Sequence, residues 1–369
     1  MKKKFIGMAG LLLLIAAPAL ADTAKESVPP APSLEENREP TGLDGLAKKL
    51  TDRLKFSALV EVEASAGKDF SKEKTSDVNL ATVELGVDAR ITDWVSAHML
   101  ALYEEVEEDD HLIIDEGTIT LGNEEKNPFY LTAGKMYVPF GSFASAMVSD
   151  PLTLELAETR DTALLAGFAK AGWYGSLYAF NGEVAKTGKS DTIDTFGANL
   201  GYKLEKDDWQ FDLGAGWLNN LGNTDTIRDH IAETSSTVDG FTDALALHGR
   251  LQYGGWSVVA EYVAALDSFK PGEIDFNEEG ARPKAWMLEL AHTMEVTERE
   301  VTLALGYQGT DEAVALGLPE HRYLASVGIG IFDKTTLTLE YRHDQDYDIA
   351  LGGTDENAYQ VVAQLAVKF

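Results

Sequence analysis

Four carboxylates occur within residues 150–161, and their type and spacing could act on a charged solute. They are Asp150, Glu155, Glu158 and Asp161, accompanied by Arg160 and, earlier in the chain, by Lys135. Carboxylates that line a narrow passage in low-dielectric surroundings attract cations and repel anions. Three leucines between residues 152 and 156 could pack this segment on a wall. We predict that the segment folds inward as a constriction; a surface lid with solvated charges is the alternative.

The segments on either side have the two-residue period of β-strands. Between Ala81 and Ala89 apolar residues alternate with polar ones, and the alternation recurs up to the terminal Phe369. A face for lipid and a face for water, repeated over about 16 segments, is typical of membrane barrels. We predict an all-β fold: a single transmembrane antiparallel β-barrel of about 16 strands, of the outer-membrane porin type. For any one segment, an amphipathic strand in a soluble sandwich is the alternative.

Connections between the predicted strands alternate in length. We expect short turns near residues 91–93, 169–172, 206–208, 254–255, 294–298 and 331–334, and long polar loops near 66–77, 104–111, 139–160, 182–193, 218–242, 267–282, 309–320 and 344–357. Short periplasmic turns and long extracellular loops would produce this asymmetry. Four tryptophans open strands just after short turns, at Trp94, Trp173, Trp209 and Trp256. We expect their rings to form an aromatic girdle at a membrane interface.

The non-apolar side of the strands is small or polar, which predicts a water-filled interior. A barrel of about 16 strands is wide enough to leave an aqueous channel. We expect charged side chains to line it at Glu61, Glu84, Asp88, Arg90, Glu104, Arg250, Glu261, Glu340 and Arg342. The predicted function is passive passage of small solutes, which measurable conductance would separate from a purely structural or adhesive barrel.

The first residues have the composition of a secretory signal. Lys2, Lys3 and Lys4 precede a mostly apolar run that ends in Ala19-Leu20-Ala21, a small-x-small cleavage site. We predict a signal peptide at 1–21, a flexible periplasmic leader at 22–53 in which a short helix could form, and the barrel at 54–369. The expected location is the bacterial outer membrane.

Charge and cysteine content exclude several classes of function. Removing the three lysines of the signal peptide leaves 28 Lys and Arg against 61 Asp and Glu, a net charge of −33. So acidic a chain does not bind nucleic-acid phosphates. It contains no cysteine, so neither disulfides nor thiol chemistry arise. We predict no metal and no cofactor; the expected partners are outer-membrane lipid, lipopolysaccharide and a small-molecule solute, and a homotrimer is left open.

Catalysis is not predicted. A membrane hydrolase would need a nucleophile beside a base, and the sequence shows no such pair around His98 or His248. The acidic stretch 104–110 could hold a divalent cation, but hydration or ion bridging to lipopolysaccharide is the expected role.

Three stretches resemble a known family. They are DEGTITLG (115–122), KMYVPFGSF (135–143) and SDPLTLELAETRDTALLAGFAKAGWYGSLYAFNG (149–182), and they resemble the LbtU-type siderophore porins of the outer membrane. The similarity runs from about Leu34 to Phe369. The resemblance implies a barrel that passes iron-loaded siderophore without a large plug domain. General or cation-preferring diffusion of ions and small nutrients is the alternative.

Overall fold

The computed structural model describes residues 53–105, 111–123, 125–189, 192–206, 208–235 and 237–369. The predicted signal peptide and, apart from Arg53, the predicted leader lie outside the described residues, as do residues 106–110 of the acidic stretch. No helix in the described ranges is long and apolar enough to cross a membrane.

Sixteen antiparallel strands close into one barrel. They are β1 (Leu54–Lys68), β2 (Lys74–Arg90), β3 (Val95–Glu104), β4 (His111–Gly122), β5 (Phe129–Tyr137), β6 (Arg160–Lys170), β7 (Trp173–Phe180), β8 (Thr195–Lys206), β9 (Trp209–Leu218), β10 (Ala244–Tyr253), β11 (Trp256–Ala265), β14 (Lys284–Val296), β15 (Arg299–Asp311), β16 (His321–Phe332), β17 (Thr335–Gln345) and β18 (Asn357–Lys368). Two short strands, β12 (Asp275–Phe276) and β13 (Glu279–Gly280), form a separate hairpin between β11 and β14. Neighbours in sequence pair in the sheet, and β1 pairs with β18. The predicted all-β barrel is confirmed.

The two-residue period sets which face of each strand is apolar. In β18, Tyr359, Val361 and Leu365 are exposed on the outer face, while Gln364 donates to Glu63 of β1 on the inner face. Large apolar side chains are exposed in the same way around the barrel, for example Leu177 and Leu305. An apolar outer surface of this extent needs a nonaqueous surrounding. The alternation that predicts the strands therefore also separates the two environments.

Short and long connections alternate along the chain. Short turns lie at one end of the barrel, here called the turn end, and most of the longer connections lie at the other, the loop end. The predicted long loop at 66–77 is wrong in extent: β1 continues to Lys68 and β2 begins at Lys74, which leaves five residues between them. Polar residues such as Thr75 and Ser76 hide the alternation there, yet their backbone still pairs with β1.

Aromatic side chains mark the turn end. Trp94, Trp173, Trp209 and Trp256 are all close to half exposed, at 45 to 52 %. Three of them contact a ring of a neighbouring strand: Trp173 contacts Tyr202, Trp209 contacts Tyr253, and Trp256 stacks on His292. Rings with an apolar body and a polar tip suit the boundary between hydrocarbon and water. Trp173, Trp209 and Trp256 begin their strands and Trp94 directly precedes β3, so the girdle remains a prediction.

Two short α-helices lie within the described connections at the loop end. Helix α1 (Leu152–Ala157) interrupts the connection between β5 and β6, and helix α2 (Asp225–Thr234) lies between β9 and β10. Ile227 and Ile231, one turn apart on α2, are fully buried. Both helices therefore bury an apolar side against other parts of the chain.

Candidate functional site

The connection between β5 and β6, residues 138–159 and here called loop 3, lies inside the barrel. It is held there by three glutamates that point inward from β11, β14 and β17. Glu261 accepts from the backbone N–H of Ser142 at 2.7 Å and of Phe143 at 3.1 Å. The same carboxylate accepts from the Thr153 hydroxyl at 2.9 Å. Glu261 thus joins both legs of loop 3 to the wall.

Glu289 and Glu340 continue the attachment around the wall. Glu289 accepts from the Ser145 hydroxyl at 2.7 Å and from the backbone N–H of Ala146 at 2.8 Å. Glu340 accepts from the backbone of Val148 and from both the backbone and the hydroxyl of Ser149. Hydrogen bonds to a charged acceptor are about twice as strong as neutral ones. We call these three residues the glutamate clamp.

Two further wall residues hold the tip of loop 3. The side-chain oxygen of Gln308 on β15 accepts from the backbone N–H of Leu152 at 2.9 Å, where α1 begins. Arg322 on β16 donates to the backbone oxygen of Asp150 at 3.2 Å and forms a two-pronged ion pair with Asp344. The loop is therefore attached to the inner wall from β11 to β17.

Close approach of backbones also positions the loop. A Cβ atom at Gly216 of β9 would lie 2.1 Å from the backbone oxygen of Phe140. Only glycine leaves room for the first leg of loop 3 at this point.

Behind loop 3, the connections at the loop end pack into one apolar cluster, here called the loop core. It contains Leu152 and Leu156 of α1, Ile227 and Ile231 of α2, and Phe269 from the connection between β11 and β14. Inward side chains of β5 to β7, of β9 to β11 and of β14 complete it, for example Ala163, Ala246, Val263 and Ala285. No residue of β1 to β4 or of β16 to β18 belongs to it. The loop core therefore fills one side of the barrel.

The three predicted constriction residues within loop 3 differ in their surroundings. Asp150 is 5 % exposed, and neither oxygen of its carboxyl has a hydrogen-bond partner in the described chain. Burial, with Glu155 and Glu158 nearby, raises the pKa of Asp150 well above its usual range. Burial likewise raises the pKa of Glu155, against the opposing effect of Arg322. Burial and then the charges of Asp225 and Asp115 raise the pKa of Glu158 to about 8.

The other three predicted constriction residues lie at the base of the loop. Arg160 pairs with the fully buried Asp115 of β4 and approaches the Tyr137 ring, 5.9 Å from its centroid. Asp161 is half-buried at the start of β6, opposite Met136. Lys135 lies on the same strand face as the exposed Leu131, which is the outer face, and its Nζ reaches the backbone oxygen of Ile114. Arg160 and Asp161 are therefore near the loop, and Lys135 is not grouped with them.

Four half-buried carboxylates lie on the side of the barrel that the loop core leaves free. Glu340 of β17 faces inward and lies opposite Val362 of β18, so Val362 also faces inward. Val362 in turn lies opposite Ser65 of β1, and Glu61 and Glu63 are on the same face of β1 as Ser65. The inward face continues on β2 with Glu84, which lies opposite the inward residue Leu102 of β3. Glu116 of β4 lies opposite Leu100 on the same face. We call Glu61, Glu63, Glu84 and Glu116 the acidic wall.

The remaining predicted lumen residues fall into three groups. Glu261 and Glu340 face inward but are buried beneath loop 3, so they anchor the loop instead of lining open space. Asp88, Arg90 and Arg250 are exposed near the turn end, where Asp88 contacts His98 at 2.8 Å. The last two are half-buried: Glu104 ends β3 at the loop end, and Arg342 donates to Ser149 and pairs with Asp344.

Several site residues were missed by the sequence analysis. Glu63, Glu116 and Glu289 follow the same inward alternation as the predicted residues, so the period alone could have found them. Asp115 could not be found this way, because the register between β3 and β4 shifts at Leu100 and Ala101. An irregularity of this kind inserts a residue that breaks the alternation.

The chain is similar in sequence to bacterial proteins called UPF0422, a name that states no activity. No family model matches it. It is 32 % identical over 355 residues to a UPF0422 protein of Legionella pneumophila (strain Philadelphia 1), covering 86 % of this chain and 66 % of the relative. A UPF0422 protein of Coxiella burnetii (strain RSA 493) is 29 % identical over 321 residues, covering 85 % of this chain and 69 % of the relative. The chain thus spans about 66 % of the length of the Legionella relative.

Solved porins share the fold. OprB of Pseudomonas putida matches with a TM-score of 0.62 and 10 % identity, covering 88 % of this chain and 97 % of that one. An anion-selective porin from Comamonas acidovorans matches with a TM-score of 0.59 and 12 % identity, covering 86 % and 99 %. A trimer form of OmpT from Vibrio cholerae matches at 0.52 and 12 %, also covering 86 % and 99 %. The chain is therefore a closed 16-strand barrel with the fold of outer-membrane porins, similar in sequence to UPF0422 proteins.

Proposed function

We propose that the chain is an outer-membrane channel for passive diffusion of small solutes, with a preference for cations. The observation that carries the cation preference is the acidic wall. Glu61, Glu63, Glu84 and Glu116 are half-buried on the inner face of β1, β2 and β4, opposite a loop that carries further carboxylates. Fixed charges of one sign in a narrow, low-dielectric passage raise the local concentration of ions of the opposite sign.

The arginines that lie next to loop 3 are already paired with other carboxylates. Arg322 and Arg342 both pair with Asp344, and Arg160 pairs with Asp115. Lys368 of β18 lies on the inward face near the turn end. An anion that enters would therefore meet excess negative charge on the wall.

Ferric siderophore is the second candidate solute. The stretches that resemble the LbtU-type siderophore porins make up loop 3 and the strands around it, so the resemblance lies at the element that narrows the lumen. An anionic ferric siderophore would be opposed by the acidic wall, whereas a neutral or cationic one would not. The two candidates therefore predict different charge dependence for uptake.

The deciding experiment is reconstitution of the purified protein into planar bilayers and liposomes. We expect ion conductance and, in a potassium chloride gradient, a reversal potential of the sign that cation preference requires. Liposome uptake should then be compared between a ferric siderophore and sugars or ions of similar size. Absence of conductance would overturn the channel function, and an anion-selective reversal potential would overturn the cation preference.

The proposed location brings further expectations. We propose export by a cleaved signal peptide, contact with lipid and lipopolysaccharide, and assembly as a homotrimer. Support for a trimer comes from OmpT of Vibrio cholerae, which shares the fold and was solved in a trimer form. We also propose that the chain has no enzyme activity, because its fold is that of porin channels. Incubation of purified protein with ester and peptide substrates tests the last point.

A further inference from the structure

We infer that the inner wall of the barrel carries a ferric-ion site on the turn-end side of loop 3, made by Tyr174 of β7, Asp212 of β9 and His248 of β10. We call these three residues the wall triad. Asp212 and His248 follow Tyr174 by 38 and 74 positions, so no local spacing motif predicts the site. The inference goes beyond passive diffusion and rests on the geometry of the wall, so it can be tested without any conductance.

The strand register brings the wall triad together. Tyr174 lies opposite Gly201 of β8, and Gly201 lies opposite Gly214 of β9. Gly214 in turn lies opposite His248, so these positions form one row across four strands. Asp212 is two residues from Gly214 on the same face of β9. This face is the inner one, because the backbone of loop 3 lies against it two residues farther along the strand.

The two glycines of this row leave the space that the rings of the wall triad occupy. A Cβ atom at Gly201 would lie 2.2 Å from Cζ of Tyr174, and one at Gly214 would lie 2.5 Å from Cε1 of His248. Both distances are far below van der Waals contact. Only glycine at these positions lets the two rings extend across the wall toward Asp212.

The three donor atoms form a compact triangle. The hydroxyl oxygen of Tyr174 lies 2.7 Å from Oδ1 of Asp212 and 3.1 Å from Nε2 of His248. Nε2 lies 3.7 Å from the same Oδ1. A point just outside the plane of this triangle is about 2.0–2.1 Å from all three atoms, which is a usual distance from a transition metal to nitrogen and oxygen ligands. One ion can therefore contact all three side chains.

The donor set favours ferric iron. No group of three or more His, Asp or Glu side chains in the described residues is arranged to hold a metal ion; here a phenol supplies the third ligand. A phenol is a weak acid, so near neutral pH it loses its proton only to a strongly Lewis-acidic ion. Fe³⁺ is such an ion and suits two anionic oxygen ligands with one imidazole. Zn²⁺ is bound instead by Cys, His and carboxylates.

Binding is balanced by the release of a proton. The Oη–H bond of Tyr174 breaks as the metal–oxygen bond forms, and the proton passes to water. Nδ1 of His248 has no hydrogen-bond partner in the described chain. No bond therefore fixes the proton on one ring nitrogen, and Nε2 can bind as a neutral donor. With Asp212 as a carboxylate, the ion has two negative ligands and one neutral ligand.

The wall triad is accessible from the lumen. The side chains of His248 and Asp212 are 13 % and 20 % exposed, and both residues are on the inner face. An ion held by three protein atoms keeps further positions for water or for the oxygen atoms of a chelator. Arg250 lies opposite Asp212 on β10 and is exposed, so it favours an anionic chelator at these positions.

The test is titration of the purified protein, folded in detergent, with ferric nitrilotriacetate. Fe³⁺ bound to a phenolate gives a visible ligand-to-metal charge-transfer band, which iron bound only to carboxylates of this acidic chain does not give. We expect the band to saturate at one ferric ion per chain and to persist in excess Zn²⁺. Absence of the band, or its loss to Zn²⁺, would overturn the inference.

Tyr174→Phe keeps the ring beside Gly201 and removes only the phenolic oxygen, so we expect a folded barrel without the band. Tyr178→Phe is the matched control on the same strand face. Tyr178 is buried, and its hydroxyl has no hydrogen-bond partner in the described residues, so this change should leave the band intact. Persistence of the band in Tyr174→Phe, or equal loss in both variants, would overturn the assignment.

Asp212→Asn and His248→Gln test the other two ligands. Each should weaken ferric binding by more than the about 10–100-fold that is lost when a group supporting a metal ligand is removed. Circular dichroism shows that the barrel of each variant is folded. Unchanged affinity in either folded variant would mean that the three side chains only hydrogen-bond one another, which would overturn the site. Lack of conductance in bilayers would overturn only the proposed function.

Discussion

Glu340 shows how a single residue can position the narrow part of the lumen. It is fully buried and accepts hydrogen bonds from Val148 and Ser149. In Glu340→Gln the amide would present N–H groups to backbone donors, and each charged hydrogen bond that is lost costs about 1.5–3 kcal/mol. We expect loop 3 to detach intermittently, which would appear as larger and noisier single-channel currents at fixed voltage.

The matched control is Glu61→Gln, the same change on the acidic wall, where no hydrogen bond to loop 3 is made. Its currents should stay quiet while its cation preference falls. A unit charge about 6 Å from a permeating ion changes the ion's energy by about 0.7 kcal/mol in water, or about threefold in permeability. Quiet currents in Glu340→Gln would contradict the anchoring role.

We expect Glu158 to make ion passage through the proposed channel sensitive to pH. Its pKa is raised from 4.5 to about 8 by burial and by the nearby Asp225 and Asp115. The folded protein therefore retains a proton that the unfolded chain releases, so the contribution of this group to stability falls as pH rises from 4.5 to about 8. Its negative charge appears only above this window. We expect the cation preference, measured by reversal potential, to increase from pH 7 to pH 9, and Glu158→Gln to remove that part of the increase.

At the scale of elements, α2 closes one side of the loop end. The backbone N–H of Asp225 donates to the backbone oxygen of Glu158 at 2.8 Å, and Thr224 donates to that of Leu156. These bonds join α2 to the second leg of loop 3. Loop 3 and the connection between β9 and β10, which are far apart in sequence, therefore close this side of the loop end together.

Placing a charge at Ile227 should open the side of the barrel that the loop core fills. Ile227 is fully buried in the loop core, and an unpaired carboxylate cannot remain in such a site. Ile227→Asp should displace α2 and increase single-channel conductance, with new proteolytic cleavage within residues 225–234. Ala232→Asp places the same charge on an exposed position of the helix and should change neither measurement.

At the scale of the whole molecule, closure of the barrel leaves no free strand edge. β1 and β18 pair from Leu59 opposite Lys368 to Lys68 opposite Tyr359. Sheets commonly associate through unpaired edge strands. Because this barrel has none, copies of the chain would have to associate through the outer faces of their barrels. We expect the purified protein to run as a trimer on unboiled detergent gels and to shift to the monomer position on boiling. Native mass spectrometry that finds one copy per particle would contradict the trimer.

The sequence by itself determined the strands, their two faces and the alternation of short and long connections. A period of two is a local property of extended backbone. The faces of residues such as Tyr359, Gln360 and Val361 can therefore be assigned without knowing which strands they pair with. The tertiary structure decided where loop 3 lies, that Glu261 and Glu340 are anchors, and that Lys135 faces outward with Leu131. The position of loop 3 and the anchoring roles of Glu261 and Glu340 depend on contacts between residues more than a hundred positions apart. Alternation carries no information about which side of a closed ring a loop will contact.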